Sequence, residues 1–183
     1  MLSQCCAGNP VVKGVLVSLL GSAAIALGAQ ATVPFIPIPF TLQTMALLFV
    51  AFTLGPNCGV AAVLLYLLEG IIGIPVFAGF SSGIHVILGP RGGYLLGFIP
   101  AVYLSGLYFR KLCNGSFPLV FLGGVIGSFI VLVCGYLHLS FFVGFSKACT
   151  LGVVPFCLTD LLKVLVFSVA VVVAKKSRNK TRE

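Results

Sequence analysis

The chain has 183 residues, 60% of them hydrophobic and only 8% charged, with a mean hydropathy of +1.21. A soluble domain carries about 25% charged residues, so this composition cannot cover a water-facing surface and predicts an integral membrane protein. The net charge of +8 does not point to nucleic acid, because five of the eleven basic residues (Lys175, Lys176, Arg178, Lys180 and Arg182) crowd into the C-terminal KKSRNKTRE, as in a cytoplasmic anchor after a last span.

A spanning helix needs an apolar run of about 17–25 residues. After a short N-terminal segment (1–11), the first run predicts a helix over 12–31. The proline-rich VPFIPIPF (33–40) breaks it. Apolar segments over 41–54 and 59–73 follow, separated by GPNCG, and then a long loop, IPVFAGFSSGIHVILGPRG (74–92). Further helices are expected over 93–109, 117–138 and 153–174, ahead of a basic tail at 175–183. The fold class is therefore all-α: a six-helix membrane bundle forming a single transmembrane domain over 1–183.

The two segments flanking GPNCG are short, so a re-entrant hairpin with four other spans also fits. Both topologies place every other loop on the same side, and loop charge does not separate them. A tilted bundle of uneven helices favours six spans. Orientation does follow from charge. With the N-terminus inside, Lys13, Arg110, Lys111 and the five tail residues lie inside, eight in all, against Arg91 and Lys147 outside. Both termini are then cytoplasmic, and the 74–92 loop is external. LGPNCG (54–59) and LGPRGG (88–93) echo each other, either as a repeat or, more simply, because proline suits the first turn of a helix.

Seven cysteines (Cys5, Cys6, Cys58, Cys113, Cys134, Cys149 and Cys157) are odd in number and form no CxxC pair. They read as small residues packed between helices rather than as a disulfide or metal framework. LSQC (2–5) is close to a lipoprotein cleavage site, but no apolar stretch precedes it, so neither a lipoprotein nor a cleavable signal peptide is expected.

The polar residues inside apolar runs carry the functional information. A charge at mid-bilayer costs about 2.5–3.5 kcal/mol on insertion scales and faces a bundle interior or wet cavity. Asp160 and Lys163, in CLTDLLKVLV, are three apart and share a helix face. They are either a neutralising salt bridge or the polar pole of a binding site. Gln30, Thr41, Gln43 and Thr44 fall at the expected outer surface, either as interfacial caps or as donors and acceptors of an outward-facing pocket. The loop AGFSSG, with Gly79, is a plain connection or a lid. Arg91 attracts an anionic solute or faces water. Glu69 is expected near the outer interface, snorkelling or paired with Arg91. His85 and His138 lack metal-ligand spacing. Small residues Ser18, Ser22 and Ala26 recur at helical spacing, either for packing within the bundle or for docking a second membrane subunit. There is no GxxxxGK[ST], HExxH or GxSxG, and no nucleophile–base pair for an intramembrane enzyme.

PFTLQTMALLFVAFTLGPNCGVAAVLLYLLEGIIGIPVFAGF, continuing through LGPRGGYLLGFIPA and on to TDLLK (159–163), resembles the BioY family, the biotin-binding S components of energy-coupling factor (ECF) transporters. The resemblance runs from GAQ (28–30) to Lys163. It implies a six-helix protein that binds biotin outside and delivers it with a transmembrane T component and two cytoplasmic ABC ATPases. Biotin is then cargo, with no cofactor, no metal and no catalytic role for the chain; membrane lipid is the surroundings and nucleic acid no partner. The family's D-x-x-K falls on Asp160 and Lys163, which would meet the ureido ring or the valerate carboxylate. Arg91 would be a second carboxylate partner, and Phe77, Phe80 and Tyr94 would flank the ring and tail. Ser22 and Ala26, with Ser18 one turn earlier, match the small-residue surface that contacts the T component. His85 and Glu69 depart from the family's usual glycine and apolar residue. Competing expectations are a stand-alone biotin transporter without ATPase partners and a membrane scaffold whose Asp–Lys pair only aids folding.

Overall fold

In hydrocarbon every backbone N–H and C=O needs a partner within the protein, so apolar runs become helices. The computed structural model describes residues 10–33, 38–112 and 116–180; residues 1–9 with Cys5 and Cys6, Pro34 to Pro37 of the proline-rich break, Cys113 and Arg182 lie outside the described residues. Seven helices are present there: α1 (Pro10–Gln30), α2 (Gln43–Ile71), α3 (Ile84–Leu88), α4 (Gly92–Lys111), α5 (Phe117–Val143), α6 (Phe145–Gly152) and α7 (Val154–Lys180). Two short strands, β1 (Thr32–Val33) and β2 (Phe40–Thr41), pair antiparallel and draw together the ends of the proline-rich break. By length and composition, four stretches are long and apolar enough to cross a membrane: Gln43–Ile71, Gly92–Lys111, Phe117–Val143 and Phe145–Ser177. Gly14–Gln30 is a shorter apolar helix.

Helix α2 is not straight. Gly55 interrupts it with φ 75° and ψ −173°. The Gln43 side chain donates to the Tyr66 hydroxyl at 2.8 Å although the two residues are 23 apart in sequence. A straight helix would hold them about 34 Å apart. The chain therefore doubles back at Gly55 into two antiparallel arms, 43–54 and 56–71, matching the two expected apolar segments. Pro56 opens the second arm, as the turn chemistry predicts. The tip of this hairpin rests on Gly106 of α4, where a Cβ would come within 2.8 Å of the Pro56 nitrogen. Pro90 differs: it precedes α4, in a turn closed by the Gly92 amide on the Gly89 carbonyl at 2.9 Å.

Helix α1 packs on α2, α2 on α4, α4 on α5, and α5 on α7. Leu47, Leu48, Val63, Val102, Val120, Val164 and Phe167 are fully buried between them. The Phe167 ring meets Phe49 edge-on at 4.9 Å and Phe109 at 5.9 Å. Cys58 and Cys134 are half-buried, as expected of packing residues, whereas Cys149 and Cys157 face outward; all four are free thiols. Helices α3 and α6 were not expected. Each is a short piece inside a stretch read as a connection between helices, 74–92 for α3 and 139–152 for α6.

The backbone region that Gly55 occupies is essentially glycine-only, and side chains forced into it cost about 1–3 kcal/mol. A Cβ at Gly55 would touch nothing within 4 Å. Gly55→Ala therefore isolates backbone strain, and unfolding in detergent is expected to show a loss of about 1–3 kcal/mol. Unchanged stability would mean that the turn between the arms relaxes freely.

Candidate ligand pocket

One cavity gathers residues from six regions. It is lined by Ile38, Pro39, Thr41, Gln43 and Thr44 from the β2–α2 entry, Phe77, Ala78 and Ser81 from the loop after α2, and Val86 from α3. The far wall is Arg91, Tyr94, Leu95 and Phe98 of the α4 start, Val131 and Leu132 of α5, and Phe156, Asp160 and Lys163 of α7. α4 and α7 both begin beside it. Arg110, Lys111, Lys175 and Lys176 consequently lie toward the opposite end of the bundle.

Asp160 and Lys163 form an ion pair at 2.7 Å, with side chains 6% and 11% exposed. Their i, i+3 spacing stacks them on one helix face. That face looks into the cavity, so the pair is bound to the pocket rather than hidden in a dry helix contact. Phe156, one turn before Asp160, continues the same face. Its ring lies 4.7 Å from Phe40 and 6.1 Å from Tyr94. The Tyr94 hydroxyl donates to the Gly152 carbonyl at 2.8 Å and ties α4 to the end of α6. On the other side Phe77 is 1% exposed and meets Tyr66 edge-on at 5.5 Å. It seats against Gly70, where a Cβ would overlap its ring. The pocket is thus apolar and aromatic on its walls, with Asp160, Lys163, Arg91, Gln43 and Thr41 as its polar points. That is the usual constitution of a small-molecule site.

Of the residues expected from sequence, the structure brings together Asp160, Lys163, Arg91, Gln43, Thr41, Phe77 and Tyr94. Gly79 and Phe80 are not on the lining. Their positive φ values of 69° and 55° turn the loop outward, and Phe80 is left 72% exposed. The small-residue face of α1 also differs from a docking surface in this conformation. Ser18 and Ser22 are buried and Ala26 is half-buried, because this face packs on α2. The Ser22 hydroxyl donates to the Glu69 carboxylate at 2.5 Å, so Glu69 is engaged inside the bundle. The outward face of α1 is instead formed by Leu16, Leu20 and Leu27. The His138 Nε2–H donates to the Gly89 carbonyl, 3.1 Å away, bracing the turn before Arg91. Among the described residues no group of His, Cys, Asp and Glu is arranged to hold a metal.

Sequence reading missed Leu95, Phe98, Val131, Leu132 and Phe156. Phe98 and Phe156 were legible as one-turn neighbours of Tyr94 and Asp160. Val131 and Leu132 carried no signal, since α5 is apolar on all faces.

The sequence model of the BioY family matches residues 4–180. The chain belongs to the BioY family. This BioY chain is 38% identical over 169 residues to the "Probable biotin transporter BioY" of Pyrococcus horikoshii, covering 92% of this chain and 98% of that protein. It is 40% identical over 156 residues to the "Biotin transporter BioY" of Thermotoga maritima, covering 85% and 91%. Its fold is similar to a crystal structure of the S-component for biotin from an ECF-type ABC transporter, with a TM-score of 0.75 at 26% identity, covering 93% of this chain and 95% of that one.

Removing one member of a buried ion pair leaves an uncompensated charge and costs about 3–5 kcal/mol. Lys163→Met is expected to lose stability in that range, and Asp160→Asn combined with Lys163→Met to recover most of it. Unfolding of the ligand-free BioY protein in detergent, arranged as a double-mutant cycle, reads the coupling. Additive single effects would mean that the two groups do not interact.

Proposed function

We propose that this multi-pass membrane protein is the substrate-binding S component of a biotin uptake system. It takes biotin from the outer side and delivers it together with an ATP-driven ECF module. The observation that carries the reading is the pocket itself: a buried Asp160–Lys163 pair and Arg91 on an aromatic-walled cavity, in a BioY-family chain. Biotin presents matching chemistry. Its ureido ring has two N–H donors and a carbonyl acceptor, and its valerate tail ends in a carboxylate. Asp160 accepts a ureido N–H. Lys163 donates to the ureido carbonyl or the carboxylate, and Arg91 is the second cation for the carboxylate. Phe77, Tyr94 and Phe156 cover the apolar ring and tail.

In this reading six segments cross or enter the bilayer: α1, the two arms of α2, α4, α5 and α7. Both termini are cytoplasmic in the bacterial inner membrane. The distribution of charge supports it, since Arg110, Lys111, Lys175 and Lys176 gather toward the end away from the pocket. The pocket then opens toward the outer side, where a solute is captured. Biotin is cargo, and the reading requires no cofactor. ATP hydrolysis belongs to two ABC ATPase subunits, coupled through a transmembrane T component. Co-purification of those subunits with the tagged chain tests the partnership against stand-alone transport.

Truncating one partner of a buried charged contact costs about 2–5 kcal/mol of binding. Labelled biotin is expected to bind the purified chain tightly. Arg91→Ala, Asp160→Asn and Lys163→Ala should each weaken it by roughly 30-fold or more, measured on samples whose folding is checked by thermal unfolding. A folded wild-type chain that does not retain biotin would sink the proposal.

A further inference from the structure

The loop joining α2 to α3 brings Phe77, Ala78 and Ser81 to the pocket wall. No regular element holds it there. Besides the Phe77 ring seated on Gly70 and the Gly83 amide on the Gly70 carbonyl at 2.7 Å, what holds it is a set of side-chain contacts that converge on Gln30, the last residue of α1. The Gln30 amide nitrogen lies 3.4, 3.3 and 3.2 Å from the carbonyl oxygens of Pro75, Val76 and Phe77. Its carbonyl oxygen accepts from the Phe80 amide at 3.1 Å. One side chain thus grips both limbs of the turn. It does so where the backbone is least comfortable, since Phe80 is the one non-glycine residue at positive φ among the described residues. The same Val76 carbonyl receives the Tyr66 hydroxyl at 3.3 Å, and that hydroxyl receives the amide of Gln43, a pocket residue, at 2.8 Å. Gln30 itself is not on the pocket lining.

We infer that Gln30 is a positioning residue for ligand retention: by clamping residues 75–80 against the pocket, it sets the rate at which bound ligand escapes. The inference rests on the pocket being the biotin site. Losing the clamp removes no ligand contact and leaves Asp160, Lys163 and Arg91 in place. It loosens the wall that Phe77 and Ala78 supply. The effect therefore falls on dissociation, where most affinity differences within one binding site lie.

The test is a chase of labelled biotin from the purified full chain, with amide hydrogen exchange measured on the same proteins without ligand. Gln30→Ala is expected to speed dissociation about tenfold or more, to change the association rate little, and to speed exchange of the Phe77 and Phe80 amides. Leu27→Ala, one turn earlier on the outward face of α1, serves as the control with wild-type kinetics. An unchanged dissociation rate overturns the inference, and so does a change confined to association with wild-type exchange in the loop. Gln30→Glu keeps the acceptor that faces Phe80 and removes both donors. Should Gln30→Ala fail to fold, that variant carries the dissociation test, with an unchanged rate as the overturning result, and the Phe80 amide, whose acceptor it keeps, is not its readout. A wild-type chain that does not bind biotin overturns the proposed function instead. In that case the exchange of Phe77 and Phe80 still decides whether Gln30 holds the loop, and wild-type exchange in the variant rejects the clamp.

Discussion

A charge inside a bilayer must bring its own solvation, and the Asp160–Lys163 pair does so at 2.7 Å. That requirement organises the rest of the molecule. A neutralised pair alone would satisfy the electrostatics in any helix contact. Here the pair opens onto a cavity, so the two groups keep unused donor and acceptor capacity facing the space a solute would fill. The cavity exists because α4 and α7 start at the same end of the bundle and because the hairpin of α2 returns its second arm to that end. Without the reversal at Gly55, Tyr66 and the loop behind it would lie far from Gln43. The pocket would then have no roof.

The same solvent logic explains the irregular backbone near the pocket. Non-helical chain at membrane depth is tolerated where protein or a cavity satisfies its polar groups. The β1–β2 ladder, the Gln43–Tyr66–Val76 chain and the Gln30 contacts serve that purpose. Of the polar side chains that sequence reading placed at the helix ends there, Gln30 answers backbone groups, Gln43 and Thr44 line the pocket, and Thr41 does both, its hydroxyl accepting from the Gln43 amide at 3.4 Å. Interfacial capping and pocket formation were posed as alternatives for these residues. For Thr41 they are one arrangement, because the backbone amide its hydroxyl answers belongs to Gln43, another pocket residue.

Much of this was legible in the sequence. The starts of α4, α5 and α7 fall within one residue of the expected positions, because each follows a clear proline, glycine or polar break. The Asp–Lys pair was visible because charge is so rare in this chain. The choice between two spans and a re-entrant hairpin at 41–73 was not decidable, since both topologies share loop parity; the Gln43–Tyr66 contact shows that the two arms run antiparallel, as either topology requires. Helix α6 was hidden because it is only eight residues long and its cap Gly144 and its Ser146, Lys147 and Thr150 read as a connection between spans. The small-residue face of α1 illustrates a different limit. Spacing shows that Ser18, Ser22 and Ala26 share a face, but not which neighbour it meets. The answer lay in Glu69, whose carboxylate needs a donor and finds it in Ser22. Gln30 was underweighted for a similar reason: a glutamine at a helix end reads as a cap until the loop it holds is seen.

The structure also divides into parts held by different forces. The helices meet through close packing, with α2 against Gly106 and Phe77 against Gly70, and such contacts resist small displacements because nothing can move without a clash. The 72–83 loop is held by hydrogen bonds, each worth about 0.5–1.5 kcal/mol net. Several of these are long or shared among three carbonyls. Segments with few buried contacts open at low free energy while the packed core stays closed. Phe77 is the exception within the loop, being fully buried, so it marks where the loop is most firmly attached. Phe80, three residues on, is mostly exposed and strained. Firm attachment and easy release therefore sit three residues apart, Phe77 on the pocket wall and Phe80 outside it. In the proposed function, that short stretch is the part of the wall able to move for a solute while the charged pair beneath it keeps its place.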